Sequence, residues 1–351
     1  DRSIDLVRVF LYEFITGGGM WAVAGAGAPA GGLLAEGAAM AGSLAADLLR
    51  IDGCHVEMLL DSRLPESVLG PIAGRVNWRR VSNADEERRW IQRLAGDCDA
   101  TILIAPEFDR LLLDRCEQVE ACGGKLASPD SRFVALASDK QATCEWLRRA
   151  KVNSPMGTTI APGDDWPSEL SPPAVLKPID GAGSLDTRLL RSRDELHAIE
   201  RTGPMRLEEF RPGRAASVAV LCGPHGFRLL EPCYQRLSDD GRFRYLGGAA
   251  PLDMMPRHRA QALAARAIAA LPTTIGYVGV DMVLGSRGDG SEDYVIEVNP
   301  RLTTSYVGLS RLCRTNLAAA MLAIVGGGDA ELSFGSDAIE FGPFDGEATA
   351  S

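Results

Sequence analysis

The first part of the chain alternates between short apolar runs of strand length and segments with helical spacing. Apolar runs occupy residues 6–14, 55–60 and 100–105, and helical spacing occurs over residues 33–50, 85–94 and 111–122. This alternation indicates a parallel sheet, because the connection between two parallel strands is usually a helix. Parallel sheets bind ligands at the carboxyl ends of their strands. We therefore predict an N-terminal α/β domain over residues 1–126 that faces a substrate.

At 351 residues the chain is too long for one small core. Downstream of residue 126 the sequence predicts antiparallel strands mixed with helices, which is an α+β pattern. We predict a central subdomain over residues 127–203 and a C-terminal subdomain over residues 204–328. Residues 329–351 are rich in Gly, Glu and Ala, and we expect a loosely ordered tail there.

Composition excludes several classes of function. The 37 basic and 47 acidic residues give a net charge of −10, which argues against a nucleic-acid binder. The eight cysteines show no C-x-x-C spacing, so we expect reduced thiols and no zinc site. The Ala- and Gly-rich stretch at residues 21–49 is interrupted by Pro29 and Glu36, so we expect no membrane span. Arg8 and Glu13 lie within the only candidate apolar core of a signal peptide, so we expect no export signal. We predict a cytoplasmic protein.

An apolar strand near residue 297 carries polar groups that suit a metal. Alternate side chains share a face of a strand, which predicts that Val295, Glu297 and Asn299 point the same way. A carboxylate and an amide at this spacing suit Mg²⁺, and Asp281 lies on a neighbouring predicted strand. Arg301 follows with a side chain that suits a phosphate or a carboxylate. The alternative is an ordinary edge strand that ends in a proline turn.

Two lysines and a glycine-rich segment lie upstream of this strand. Lys140 is in the first turn of a predicted helix, opened by a capping box at residues 138–141, where its charge opposes the helix dipole. Lys177 ends a short strand and is followed by Gly181, Gly183 and Ser184, a sequence that can bind phosphate through backbone N–H groups. The alternatives are an exposed helical lysine and a hairpin turn.

A second glycine-rich segment at residues 25–30 formally satisfies the dinucleotide pattern G-x-G-x-x-[G/A]. The preceding predicted strand ends some distance upstream, and Pro29 lies where the helix would begin. We interpret this segment as a loop over a substrate cleft.

These pieces, in this order, resemble the ATP-grasp ligases over roughly residues 100–325. The resemblance implies an ATP-grasp fold in which Lys140 and Lys177 bind nucleotide phosphates and the segment at residues 181–184 closes over them. It implies that Arg301 steadies the transferred phosphoryl group. It also implies an adenine-reading segment formed by Glu208, Glu209 and Phe210, and a site for one or two Mg²⁺ ions, or Mn²⁺, formed by Asp281, Glu297 and Asn299.

One position departs from the family pattern. Many ATP-grasp enzymes carry an acidic residue for the ribose a few residues past the adenine segment, whereas Ala215 and Ala216 occupy that region here. The resemblance therefore leaves the recognition of ribose unassigned.

The two ends of the chain carry a narrower resemblance. Residues 10–19 and 299–308 are similar to the tyramine–glutamate ligases of methanofuran synthesis and their relatives in methylotrophic bacteria. The resemblance implies that small-molecule carboxylate and amine substrates bind near these ends. The candidate substrate residues are Glu13, Gly18, Thr303, Thr304 and Ser305.

The function implied by both resemblances is the ATP-dependent joining of a carboxylate to an amine through an acyl phosphate, in methanofuran-type cofactor synthesis. Catalysis would rest on positioning and charge neutralisation, with Lys177 and Arg301 acting on the phosphoryl group. The alternatives are a ligase for another amino-acid pair, of the lysine or D-amino-acid type, and an ATP-binding module without turnover. We consider a homodimer as the assembly.

Overall fold

The computed structural model describes residues 7–181 and 186–342. Its N-terminal part is an α/β domain in which four parallel strands follow the order β3-β2-β1-β4. This arrangement agrees with the predicted parallel sheet, and β1 is almost continuously buried, as expected for a strand covered by helices on both faces. The strands are β1 (Val7–Glu13), β2 (Cys54–Asp61), β3 (Asn77–Val81) and β4 (Ala100–Ile104), and the helices are α1 (Gly31–Leu48), α2 (Ala84–Asp97) and α3 (Leu111–Ala121).

The central part combines short helices with a four-stranded antiparallel sheet in the order β5-β8-β6-β7. Its elements are α4 (Ser131–Ser138), α5 (Lys140–Arg149), β5 (Gly157–Ile160), β6 (Ala174–Pro178), β7 (Arg188–Leu190), α6 (Asp194–His197) and β8 (Met205–Glu209).

The C-terminal part is built on a seven-stranded sheet in the order β14-β13-β9-β11-β12-β15, with β10 also paired to β9. Two of its helices, α8 and α9, pack towards α1 of the first domain. Its elements are β9 (Arg214–Gly223), β10 (Gly226–Leu229), β11 (Cys233–Leu237), β12 (Tyr245–Ala250), α7 (Met254–Ala270), β13 (Gly276–Leu284), β14 (Tyr294–Asn299), α8 (Ser305–Leu312), α9 (Leu317–Val325) and β15 (Ile339–Phe341).

Two local predictions differ from the structure. Asp139, and not Ser138, caps α5, since its carboxylate accepts a hydrogen bond from the Ala142 N–H at 2.8 Å and Ser138 is the last residue of α4. Part of the tail that was expected to be loosely ordered forms β15, which pairs with β12. Among the described residues, no helix is long and apolar enough to cross a membrane.

The alternation predicted for β14 is wrong at its first residues. Asp281 pairs with Glu297 while the next residue, Met282, pairs with Val295, so Ile296 is an extra residue in a β-bulge. The extra residue breaks the alternation of side chains along β14. Val295, which precedes the bulge, therefore packs into the hydrophobic core and does not share the face of Glu297. Ile296, Glu297 and Asn299 instead line a cavity. The two polar groups therefore share a face as predicted, whereas Val295 does not.

A buried carboxylate joins the first domain to the C-terminal part. Asp47 on α1 accepts hydrogen bonds through Oδ2 from the Tyr306 hydroxyl at 2.8 Å and from the Ser310 hydroxyl at 2.7 Å, both on α8. The Asn316 side chain donates to the Asp47 carbonyl at 2.8 Å. These contacts fix α1 against the helix that follows Arg301, which brings the first domain to one wall of the cavity.

Candidate active site

A cavity of about 230 Å³ lies between the central sheet and the C-terminal sheet. Most residues that the sequence singled out line it, although they come from separate parts of the chain. The described candidates on its wall are Lys140, Lys177, Gly181, Glu208, Glu209, Phe210, Asp281, Glu297, Asn299, Arg301, Thr303, Thr304 and Ser305. Gly183 and Ser184 lie outside the described residues.

The candidate metal-binding residues meet on the hairpin of β13 and β14. Asp281 and Glu297 are directly opposite each other across the two strands. Asn299 donates to Asp281 Oδ2 and Gln235 donates to Asp281 Oδ1, each at 3.0 Å. Burial and, after it, the nearby Glu297 charge raise the pKa of Asp281 to about 7.

This set of side chains fits a hard divalent cation. Two carboxylates held together in a buried place repel each other, and a cation between them would remove that cost. Carboxylate and amide oxygens are also the ligands that Mg²⁺ prefers. Among residues 7–181 and 186–342, no group of three or more His, Cys, Asp or Glu side chains could hold a metal, so the amide of Asn299 is needed to complete the set.

Lys140 lies at the start of α5, as predicted, and its charge is neutralised there. Its ammonium is 3.1 Å from Glu297 Oε1 and donates to the Gly181 carbonyl at 2.8 Å. Its side chain is nearly buried. The carboxylate of Glu297 thus offsets the unfavourable position of a cation at a helix N-terminus. A candidate phosphate ligand and a candidate metal ligand are therefore in direct contact.

Lys177 belongs to a buried group of three charged side chains. Its ammonium is 2.5 Å from Glu208 Oε1, and the guanidinium of Arg206 is 2.7 Å from Glu208 Oε2. Arg206 also contacts Gln141 and donates to the Pro155 carbonyl at 2.9 Å. The side-chain carboxylate of Glu208 therefore holds two cations, which differs from the adenine-reading role that the family resemblance implied for it.

The rest of the predicted adenine segment faces the cavity. Glu209 ion-pairs with Arg211, and the ring of Phe210 stacks on that of Phe243 with centroids 6.3 Å apart. Together with Leu237 these rings provide an apolar surface for a flat base.

The two alanines at the expected ribose position have different surroundings. Ala215 lines the cavity, whereas Ala216 is fully buried in the hydrophobic core. Neither residue supplies a polar group for a ribose.

Arg301 is held by a residue that the sequence did not single out. Its Nε is 2.8 Å from Glu107 Oε1 and its Nη2 is 3.1 Å from Glu107 Oε2. Glu107 follows β4, so this ion pair links the first domain to the residues just past β14. Through this ion pair, the residue just past the carboxyl end of β4 reaches the arginine on the cavity wall.

Two predicted substrate residues have local roles in the structure instead. Glu13 accepts hydrogen bonds from the Ile15 N–H at 3.0 Å and the Thr16 N–H at 2.7 Å, and it does not line the cavity. Burial raises its pKa. Gly18 has φ 93°, and a Cβ there would lie 2.7 Å from Val81 Cγ1, so the turn itself requires glycine.

The predicted residues at the other end of the chain do reach the cavity. The hydroxyls of Thr303 and Ser305 are 2.9 Å apart, and the Tyr277 hydroxyl is 3.1 Å from that of Ser305. These contacts order the segment between Arg301 and α8. The cavity residues Glu36, Gln235, Tyr245 and Phe341 were not predicted, because no local motif marks them.

Sequence comparisons place this cavity in a known family. Residues 137–305 match the profile of the ATP-grasp domain, and residues 54–150 match that of the pre-ATP-grasp domain. The tyramine–L-glutamate ligase of Methanocaldococcus fervens is 27% identical over 244 residues, which cover 69% of this chain and 71% of the relative. The corresponding ligase of Methanocaldococcus jannaschii is 25% identical over 238 residues, covering 67% of this chain and 65% of that relative.

A solved structure agrees with these matches. A protein from Archaeoglobus fulgidus, described as belonging to the ATP-grasp superfamily, superposes with a TM-score of 0.68 at 24% identity. The superposition covers 93% of this chain and 89% of that chain. The parallel sheet and the two antiparallel sheets described above are therefore the ATP-grasp fold.

Proposed function

As a member of the ATP-grasp family, this chain is an ADP-forming carbon–nitrogen ligase, and we propose that it joins glutamate to tyramine, tyrosine or a related amine. The observation that carries the proposal is the cavity itself, where two buried lysines, paired carboxylates and a buried arginine converge. The names of the two ligases from Methanocaldococcus supply the substrate classes. We extend the proposal to the synthesis of a methanofuran-type cofactor.

The lysines account for binding of the nucleotide phosphates. Lys140 and Lys177 approach the cavity from two different elements, α5 and β6, and a polyphosphate between them would meet a positive charge on each side. Phosphoryl transfer depends mainly on such positioning and charge neutralisation. Burial opposes the charge of Lys177, but the nearby Glu208 carboxylate raises the pKa of this lysine.

Asp281, Glu297 and Asn299 would hold Mg²⁺, with Mn²⁺ as an alternative ion of similar ligand preference. When bound, the ion would neutralise charge on the phosphate oxygens. Glu297, which pairs with Lys140 in the ligand-free structure, would be one of its ligands.

In the proposed reaction, a carboxylate oxygen of glutamate attacks the terminal phosphorus of ATP and ADP leaves. The substrate ammonium loses one proton to solvent, and the neutral amine nitrogen then attacks the acyl carbon of the resulting acyl phosphate. Inorganic phosphate leaves, and the nitrogen loses a second proton to give the amide. Arg301 is positioned by Glu107 to stabilise the charge on the transferred phosphoryl group. No side chain needs to act as a covalent nucleophile.

The decisive test is release of ADP by the purified chain with ATP, Mg²⁺ and a panel of amino acids and amines, followed by mass measurement of the product. Glutamate with tyramine should release ADP and give the amide, and Glu297→Gln should abolish both while still folding. A different productive pair would identify a ligase for other amino acids. Tight ATP binding without ADP release for any pair would favour a nucleotide-binding module.

A further inference from the structure

Almost every ionisable side chain on the cavity wall has a charged or hydrogen-bonded partner. The ion pairs are Lys140 with Glu297, Lys177 with Glu208, Arg211 with Glu209, and Arg301 with Glu107, and Asp281 binds two amides. Glu36 differs, because no ion pair or hydrogen bond of its carboxylate occurs in the part of the chain that the structure describes. Burial raises the pKa of Glu36 and the charge of Arg301 acts against that rise, but the Glu36 carboxylate makes no direct contact with the described residues and is available to a ligand.

Glu36 comes from the first domain and reaches the cavity on α1. The next residue, Gly37, lies against Glu13, where a Cβ would be 2.6 Å from the carboxylate oxygen. The Asp47 hydrogen bonds then fix the far end of α1 to α8. The helix is thus held at both ends of its buried face, and Glu36 is presented at a defined place beside the segment of Thr303 to Ser305.

The cavity wall also contains the aromatic side chains of Tyr245 and Phe341. The ring of Phe341 packs directly on Gly248 and Gly308, where an added Cβ atom would lie 2.5 Å and 2.2 Å from the ring, respectively. Burial is the main cause of a raised pKa for Tyr245, and the charges of Cys233, Asp281 and Glu36 add to it, so both carboxylates act on the phenol. A flat apolar surface and a free carboxylate are therefore next to each other.

We propose that Glu36 binds the ammonium group of the amine substrate, whose carbon skeleton lies against Tyr245 and Phe341. This inference rests on the proposed ligase function and narrows its substrate. A carboxylate attracts a simple amine but repels the carboxylate of an α-amino acid. The charge of Arg301 acts on Glu36, but its guanidinium is paired with Glu107 and is assigned in the proposed reaction to the transferred phosphoryl group, so it is not available to the carboxylate of an amino acid. The subsite therefore selects an aromatic amine that lacks a carboxylate, such as tyramine, over tyrosine.

The test compares the wild type with Glu36→Gln, and uses Asp52→Asn, an exposed acid without a described partner, as the matched control. Glu36→Gln should raise KM for tyramine by roughly 10- to 100-fold, as expected for the loss of a hydrogen bond to a charged group. KM for ATP and for glutamate should stay within about twofold of wild type, and the preference for tyramine over tyrosine should shrink. Asp52→Asn should leave all of these values as in the wild type.

Hydroxylamine separates failure of this inference from failure of the proposed function. It is small and uncharged at neutral pH, and it traps an acyl phosphate as a hydroxamate without needing an ammonium subsite. Glu36→Gln should keep forming glutamyl hydroxamate from ATP and glutamate, which shows that the loss is confined to recognition of the amine. Circular dichroism checks the fold of each variant.

Two results would overturn the assignment of Glu36 while leaving the ligase intact. One is an unchanged KM for tyramine in Glu36→Gln, and the other is an equal loss of hydroxamate and amide, which would place Glu36 in activation of the carboxylate. If the wild type forms neither hydroxamate nor amide with any substrate pair, the proposed function itself fails, and the inference about Glu36 fails with it.

Discussion

Replacing Glu208 by glutamine removes the only negative charge from the buried group that it forms with Lys177 and Arg206. The three side chains are exposed by only 3%, 5% and 1%, respectively. Among the described residues, the remaining hydrogen bond of Lys177 is a 3.5 Å contact to the Ile296 carbonyl, and the charge of Glu297 also acts on it. Removing one partner of a buried ion pair costs about 3–5 kcal/mol, because the other charge is left without compensation.

We therefore expect Glu208→Gln to lower the melting temperature of the ligand-free protein by roughly 6–10 °C, at about 2 °C per kcal/mol for a chain of this size. Saturating ATP should stabilise this variant more than it stabilises the wild type, because the phosphates supply the negative charge that Lys177 has lost. Differential scanning fluorimetry with and without ATP measures both effects.

Glu209→Gln is the matched control. Glu209 is the next residue, but its ion pair with Arg211 is partly exposed, at 27% and 31% of the two side chains, so its loss should cost less than about 1 kcal/mol. An unchanged melting temperature for ligand-free Glu208→Gln, combined with weaker ATP binding, would refute the reasoning. That result would instead support direct contact of the Glu208 carboxylate with the nucleotide.

Three further predictions concern other residues of the site and the cysteines. The pKa of Asp281 is raised to about 7 from 3.8, so its protonation stabilises the ligand-free fold fully below about pH 4, and this contribution is lost as the pH rises to about 7. With a chelator present, the melting temperature should therefore fall between about pH 4 and 7 more steeply in the wild type than in Asp281→Asn. Arg301→Lys keeps the charge opposite Glu107 but loses the planar fork, and should lower kcat by roughly 10²-fold with a smaller loss of melting temperature than Arg301→Gln. Iodoacetamide at about pH 8 should alkylate Cys122 first, because Cys122 is the exposed one of the eight cysteines. Burial raises the pKa of other thiols, such as that of Cys98 to about 11, and peptide mass mapping would show the order of alkylation.

The elements that the sequence predicts well carry strong local signals. β1 is an almost continuous apolar run, and the hairpin of β13 and β14 places Asp281 opposite Glu297 as their strands predict. β3 was missed because it is an edge strand of mostly exposed polar residues with no apolar alternation. α8 was missed because Thr304, at its N-cap position, makes no capping hydrogen bond with its side chain.

The partners of the predicted residues were the part that sequence reasoning could not supply. Glu107 is 194 positions from Arg301 in the chain, and no local pattern connects them. Arg206 carried a usable signal, since it is two residues from Glu208 on the same face of a strand. The bulge at Ile296 depends on the register with β13 and is not encoded in the alternation of β14 itself. Contacts between residues that are far apart in the sequence therefore determine the geometry of the site.

The short strand β15 has a consequence for incomplete chains. It pairs with residues 248–250 of β12, a strand that is synthesised much earlier and also carries the exposed Leu246. Until β15 is added, β12 is an open sheet edge with unpaired backbone groups beside an apolar side chain, which is a template for association with another chain. Nascent or truncated chains that stop before residue 339 should therefore aggregate through β12, even though the residues proposed to bind ATP are all present.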